Sequence, residues 1–202
     1  MPSTAVTVIH KFIRREMFDF AERLFRAEPD DVGDVQAALS EVASLLRGHA
    51  EHEDAHLAPL LREVALELAE RMARDHRRLE DQLERLCAEA QELNSSASDC
   101  GEALLRFHLN WNRFLSAYLA HLDDEERTLF AALKEGVPPV TAIAQSAASP
   151  ETEESRVFLL RLWSVTTCAE RIAIERAIEQ GRAAAASEPR SHRDDVVATA
   201  ES

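Results

Sequence analysis

Glycine, cysteine and cationic side chains are what this 202-residue chain has least of. Five Gly and seven Pro offer too few turns for an all-β protein. The three cysteines, Cys87, Cys100 and Cys168, are scattered and odd in number. They do not suggest a disulfide framework or a zinc knuckle and suit a reducing, cytoplasmic compartment. Lys and Arg total 23 against 37 Asp and Glu, a formal net charge of −14. Neither nucleic acid nor an anionic membrane surface is an expected partner, because both recruit clustered cations. Apolar residues reach 46 %, yet no run approaches the roughly 18 needed to cross a bilayer. The opening MPSTAVTVIHKFIRRE has neither the charged start nor the long apolar run of a signal peptide. What is left is an acidic sequence long enough for one helical domain of about 150 residues plus an appendage.

Apolar residues recur at spacings of three and four, which is one face of a helix. Ile9, Ile13, Met17, Phe20 and Leu24 predict a first helix over 5–27. Glu28-Pro29-Asp30-Asp31 breaks it and supplies acids for the next start. A second helix is expected over 34–62, kinked at Pro59, which lacks an amide donor. A reversal near 62–67 leads into a third helix ending near Leu93, with Met72, His76, Leu79, Leu83 and Leu86 on its seam. Asn94-Ser95-Ser96-Ala97-Ser98 reads as a loop. Asp99 and Glu102 resemble a capping box for a fourth helix running to about 135, through Phe107, Trp111, Phe114, Tyr118 and His121. Four long helices with short connections predict an all-α, up-down-up-down bundle over 1–135. A linker over 136–150, one continuous C-terminal helix over 151–182 and a frayed tail over 183–202 should follow. That last helix is a candidate cap for the bundle, dimer seam or partner surface.

The seams also contain ionisable groups, which are costly to bury unless neutral, paired or metal-bound. His49 and Glu53 are four apart, as are His76 and Glu80, and His121 and Glu125. In a helix that is about 40° of rotation and 6 Å of rise, so both side chains leave one face on successive turns. His10 supplies the first helix. His10 and His76 fall early in their helices, His49 and His121 late, so alternating helices bring all four imidazoles to one end. An ungapped internal repeat reinforces this: HAEHEDAHLAPLL at 49–61 aligns with HLDDEERTLFAAL at 121–133, matching His49 to His121, Glu53 to Glu125 and Asp54 to Glu126. Repeated chemistry on alternate helices suits a two-metal site with pseudo-twofold symmetry. Imidazole and carboxylate without thiolate favour iron, manganese or zinc. Seven ligands exceed one tetrahedral zinc and fit two five- or six-coordinate ions. Three carboxylates against two divalent cations leave a modest net charge of about +1 to bury. A ferritin-like centre would need two Glu-x-x-His motifs; Glu53-Asp54-Ala55-His56 is the one suitably placed.

The set His10, His49-x-x-x-Glu53-Asp54, Asp75-His76-x-x-x-Glu80 and His121-x-x-x-Glu125-Glu126 resembles the hemerythrin-like, HHE cation-binding family over about 5–135. The resemblance implies a four-helix bundle with two non-heme iron ions, Glu53 and Glu125 bridging and the four histidines terminal. It implies binding of, or reaction with, dioxygen, nitric oxide or peroxide, in sensing, storage or stress protection. A di-iron oxidase or oxygenase acting on a small organic substrate is the alternative. Oxygen-carrying members have a fifth histidine where this chain has Glu80. A harder anionic ligand there favours the ferric state and disfavours reversible carriage. Carriers also place the last bridging carboxylate five residues after its histidine, which would be Glu126, whereas regular helix geometry favours Glu125. Arg14 is either a partner for a carboxylate near the site or a solvated surface residue, Tyr118 either a donor behind His121 or part of the core, and His56 is expected to pack or support from outside. His52 is expected at the flank of the seam, partly exposed, and His108 and His192 are expected to play no part.

Overall fold

The computed structural model describes residues 4–133, 160–172, 175, 176 and 179. The expected linker, the start of the C-terminal helix and the tail lie outside the described residues. Five α-helices and one 3-10 turn account for 4–133: α1 (Thr4–Arg26), the turn Pro29–Asp31, α2 (Val32–His56), α3 (Ala58–Val64), α4 (Leu66–Glu92) and α5 (Cys100–Leu133). The all-α bundle expected from the periodicity is the architecture observed.

Local chemistry explains the breaks. Glu28 donates its amide N–H to the Asp31 carboxylate at 2.9 Å, and Pro29 opens the turn where no donor is needed. Pro59 does more than kink the second helix. It divides it at Leu57, since proline cannot donate to the carbonyl one turn back and crowds that turn. The chain reverses at Ala65, whose φ of −152° and ψ of 64° are not helical. In the loop after α4, Asn94 accepts the Ser96 amide at 3.0 Å through its side chain, the local bonding that makes Asn a turn residue.

α1 packs against α2 and α5, and α4 against the same two, which closes a ring of four long helices. Ile13, Met17, Phe20, Leu46, Leu83, Phe107 and Trp111 lie in one continuous core. Phe20 meets Trp111 edge-on at a centroid separation of 4.5 Å. Burying such side chains is worth about 1.5–3 kcal/mol each, and this end anchors the bundle. Toward the other end the apolar seam gives way to histidine and glutamate. There α3 folds against α2 and α4, placing Leu57, Leu61, Ala69 and Met72 in a small cluster one turn beyond Glu53 and His76.

The C-terminal segment is not one continuous helix. Residues 160–163 are helical, 164–167 are not, and helix resumes at 168. Thr167 and Glu170 form a reciprocal cap: the Thr167 amide donates to Glu170 Oε2 at 2.7 Å and the Glu170 amide to Thr167 Oγ1 at 3.3 Å. The segment docks on α1. Leu162 packs with Val8 and Phe12, Lys11 pairs with Glu170 at 3.0 Å, and Arg161 pairs with Glu16.

Candidate metal centre

Six side chains converge inside the bundle: His10 from α1, His49 and Glu53 from α2, His76 from α4, and His121 and Glu125 from α5. All six are buried. The four-residue spacing explains the contributions of α2 and α5, because it stacks each glutamate under its histidine. The glutamates reach across. Glu53 Oε2 lies 3.7 Å from His49 Nε2 and 3.3 Å from His76 Nε2, while Glu53 Oε1 lies 3.9 Å from His10 Nε2. Glu125 Oε1 lies 3.1 Å from His121 Nε2 and 3.4 Å from His76 Nε2, with Oε2 3.7 Å from His10 Nε2. The rings pair edge to face, His10 with His49 at 5.1 Å and His76 with His121 at 5.0 Å.

Two donor groups result: His10, His49, Glu53 and Glu125 in one, and His76, His121 and Glu125 in the other. Within each, one ligand atom per residue lies within 4.8 Å of the rest. His10 Nε2, His49 Nε2, His76 Nε2, Glu53 Oε2 and both Glu125 oxygens are buried without a hydrogen-bond partner. Buried polar atoms are nearly always satisfied. Six orphaned lone-pair atoms aimed into one volume fit cations there, and no cysteine joins them.

The electrostatics agree. Burial would push every imidazole down, and His49 falls to about 4 on that account; His121 falls to about 3 through burial and the neighbouring His76 charge. For His10, the contact with Glu126 and the nearby Glu53 and Glu125 carboxylates overcome burial and raise it to about 9. For His76, the nearby Glu125 and Glu53 carboxylates overcome it and raise it to about 11. Burial and the Glu53 charge lift Glu125 to about 7. Protons thus do, imperfectly, the neutralising work that cations would do.

Residues 1–133 match the family model described as the hemerythrin HHE cation binding domain. The chain belongs to the hemerythrin family. Neither the curated proteins nor the solved structures yield a similar chain.

Outside this hemerythrin donor set stands a second layer. His10 Nδ1 is 3.1 Å from Glu126 Oε1, which also accepts from Arg14 Nη1 at 2.6 Å. His76 Nδ1 is 3.0 Å from Asp54 Oδ1. Each carboxylate directly follows a glutamate of the donor set, and each receives the imidazole of a neighbouring helix. That contact leaves Nε2 free to face inward. Glu125 therefore faces the cluster while Glu126 backs His10, and of the two readings of Arg14 it is the carboxylate pairing that is observed. The support role of Asp54 was not anticipated, although the acidic doublets at 53–54 and 125–126 of the repeat carried the signal.

Glu80 is not brought into either donor group. It is exposed at the rim of a cleft that reaches His76 and His121. On α4 the rotation of the helix leaves Glu80, four residues after the inward His76, on the solvent side, while on α1 the corresponding Arg14 pairs with Glu126. His56 is also exposed, its ring 4.6 Å from that of His52. His108 contacts the Asn112 amide at 2.8 Å, away from the cluster. His192 lies outside the described residues.

Proposed function

We propose that this hemerythrin-family chain holds two iron ions and binds or reacts with a small ligand such as dioxygen, nitric oxide or peroxide, in sensing, storage or protection against oxidative or nitrosative stress. The observation that carries the reading is the set of orphaned Nε2 and carboxylate atoms from four helices. Such a pair of ions supplies electrons and open positions for a small ligand.

The protein residues do the rest. His10, His49, His76 and His121 would hold the ions through their inward Nε2 atoms. Glu53 and Glu125 each face both histidine pairs and would be shared between the two ions. Those two glutamates would offset half the charge of two divalent cations, and Asp54 behind His76 would offset part of the rest, while Glu126 behind His10 is itself paired with Arg14. Leu57, Leu61 and Met72 exclude water from the adjoining end. The cleft beside His76 and His121 is about 80 Å³, room for a few water-sized groups and far below the roughly 300 Å³ at which organic-ligand pockets begin. Its size favours a diatomic or peroxide over an organic substrate.

The test is metal analysis of chain purified without oxygen, with optical spectra before and after air. The reading expects two irons per chain and an absorption change on exposure. A chain that acquires no metal under conditions that load other non-heme iron proteins overturns it.

A further inference from the structure

Among the described residues, Phe18, Phe25, Leu105 and Leu109 leave large apolar side chains in solvent, from 51 % to 76 % exposed. They share one face. Phe18 and Phe25 are seven apart on α1, about 20° of rotation and about 10 Å of rise. The Phe25 ring lies 6.0 Å from that of His108 on α5, and Leu105 and Leu109 flank that histidine in sequence. α1 and α5 run antiparallel, as the contacts of His10 with Glu126 and of Phe20 with Trp111 show, so the four side chains line the seam between them. The C-terminal segment meets α1 nearer its start, at Val8 and Phe12. The two phenylalanines alone leave roughly 200–300 Å² in water, and exposed patches of roughly 300–600 Å² are often functional.

The charges around this patch say what fits it. The chain carries a formal net charge of −14, so two copies repel over most of their surface. Here the exposed charges balance: Arg15, Arg26 and Arg113 against Asp19, Glu22 and Glu102. The pattern is also self-complementary. Asp19 directly follows Phe18 and Arg26 directly follows Phe25, so the two charges share one flank of α1 as the two rings share its face. A second α1, turned antiparallel about an axis midway between Phe18 and Phe25, brings each Phe18 to the partner's Phe25. The same turn sets each Asp19 beside the partner's Arg26, because a two-fold axis faces each flank with its own copy. Within one chain these charges pair one turn away, Arg15 with Asp19 at 3.4 Å and Arg26 with Glu22 at 2.6 Å; such exposed pairs are worth little in water.

We propose that this α1–α5 face joins two copies of the chain in an isologous dimer, with α1 antiparallel to its counterpart and Leu105 and Leu109 closing the seam beside it. The occupant is a second copy rather than an unlike protein, because the apolar stripe and the order of its charges complement themselves. The cleft at His76 and His121 opens between α2 and α4, on the other side of the bundle, and stays accessible. None of these contacts involves the donor set, so assembly is independent of the ions.

The test is sedimentation velocity on the full-length, iron-loaded chain from about 1 to about 100 µM, where weak interfaces associate. The parent should sediment as a dimer at the upper end. Phe25→Asp changes a side chain that is 76 % exposed; it should keep its helices and its metal content and stay monomeric. Asp19→Arg sets like charges across both symmetric contacts and should weaken the dimer about tenfold. Asp19→Arg combined with Arg26→Asp should restore parental affinity. Circular dichroism and metal content accompany each variant, and if Phe25→Asp fails to fold, the charge exchange decides alone. A parent that stays monomeric at about 100 µM overturns the dimer, the result expected if residues 183–202 or an unlike protein cover the patch instead. Parental association in Phe25→Asp overturns the face, and a double exchange no tighter than Asp19→Arg overturns the antiparallel arrangement.

Discussion

Replacing Glu126 by Gln isolates the outer layer of the centre, because it keeps the size of the side chain and removes its charge. Glu126 Oε1 takes contacts from His10 Nδ1 at 3.1 Å and Arg14 Nη1 at 2.6 Å. It is 23 % exposed and its carboxyl is lowered to about 2: burial opposes the shift, and the bonds to His10 and Arg14 outweigh it. A Gln amide oxygen can still accept one of these bonds, but charge-assisted bonds are roughly twice as strong as neutral ones. The imidazole then loses both its orientation and part of its basicity. Outer partners of metal-binding histidines contribute about 10–100-fold in affinity, or about 1.4–2.8 kcal/mol. Glu126→Gln should lie in that range. Asp54→Asn is the internal comparator: it makes the matching 3.0 Å contact to His76 but is 53 % exposed, so water screens it and its loss should be smaller. The assay is competition for iron against a chelator of known affinity, with circular dichroism confirming the helices. Parental affinity in Glu126→Gln, or a larger loss in Asp54→Asn, would refute the argument that burial of this outer charge matters.

Further outcomes follow from the same geometry. His49→Ala and His121→Ala should each lose metal and melt at lower temperature when the parent is loaded, because ligand binding stabilises the folded state by mass action; unchanged iron in both contradicts the site. Loading should release protons at pH 7, since His10 and His76 are raised to about 9 and about 11 and are protonated in the metal-free chain; calorimetry in buffers of different ionisation enthalpy measures this, and zero release counts against it. The metal-free chain should be most stable, through its histidines, near their ordinary pKa of about 6.5. The raised pair stabilises fully below that and loses its contribution as pH climbs through about 9 and 11, whereas the lowered pair, at about 4 and about 3, destabilises as pH falls below it. Melting temperatures across pH 4–10 test the curve, and a flat profile speaks against the buried cluster. Leu162→Ala should weaken docking of the C-terminal segment on α1, seen as faster proteolysis after Arg161, with iron content unchanged; loss of iron would tie that segment to the centre.

Much of this protein was legible along the chain. A 3.6-residue periodicity fixes which face of a helix is apolar, so the seams at Ile13, Met17, Phe20 and at Leu79, Leu83, Leu86 could be read directly. His49–Glu53 and His121–Glu125 were equally plain, because four residues is a property of one helix and needs no partner. The Thr167-x-x-Glu170 cap was present as a local signal, and it interrupts what periodicity alone extends into one helix. Tertiary structure alone decided how far each helix is rotated about its own axis. That rotation turns Glu125 inward and sets Glu126 behind His10, sends Glu80 to the solvent despite a spacing identical to the pairs that are buried, and gives Asp54 to the imidazole of a different helix. Sequence spacing sets angles between residues on one rod. Only packing of the rods sets those angles against the others, and the asymmetric opening at His76 and His121 belongs to that second kind of fact.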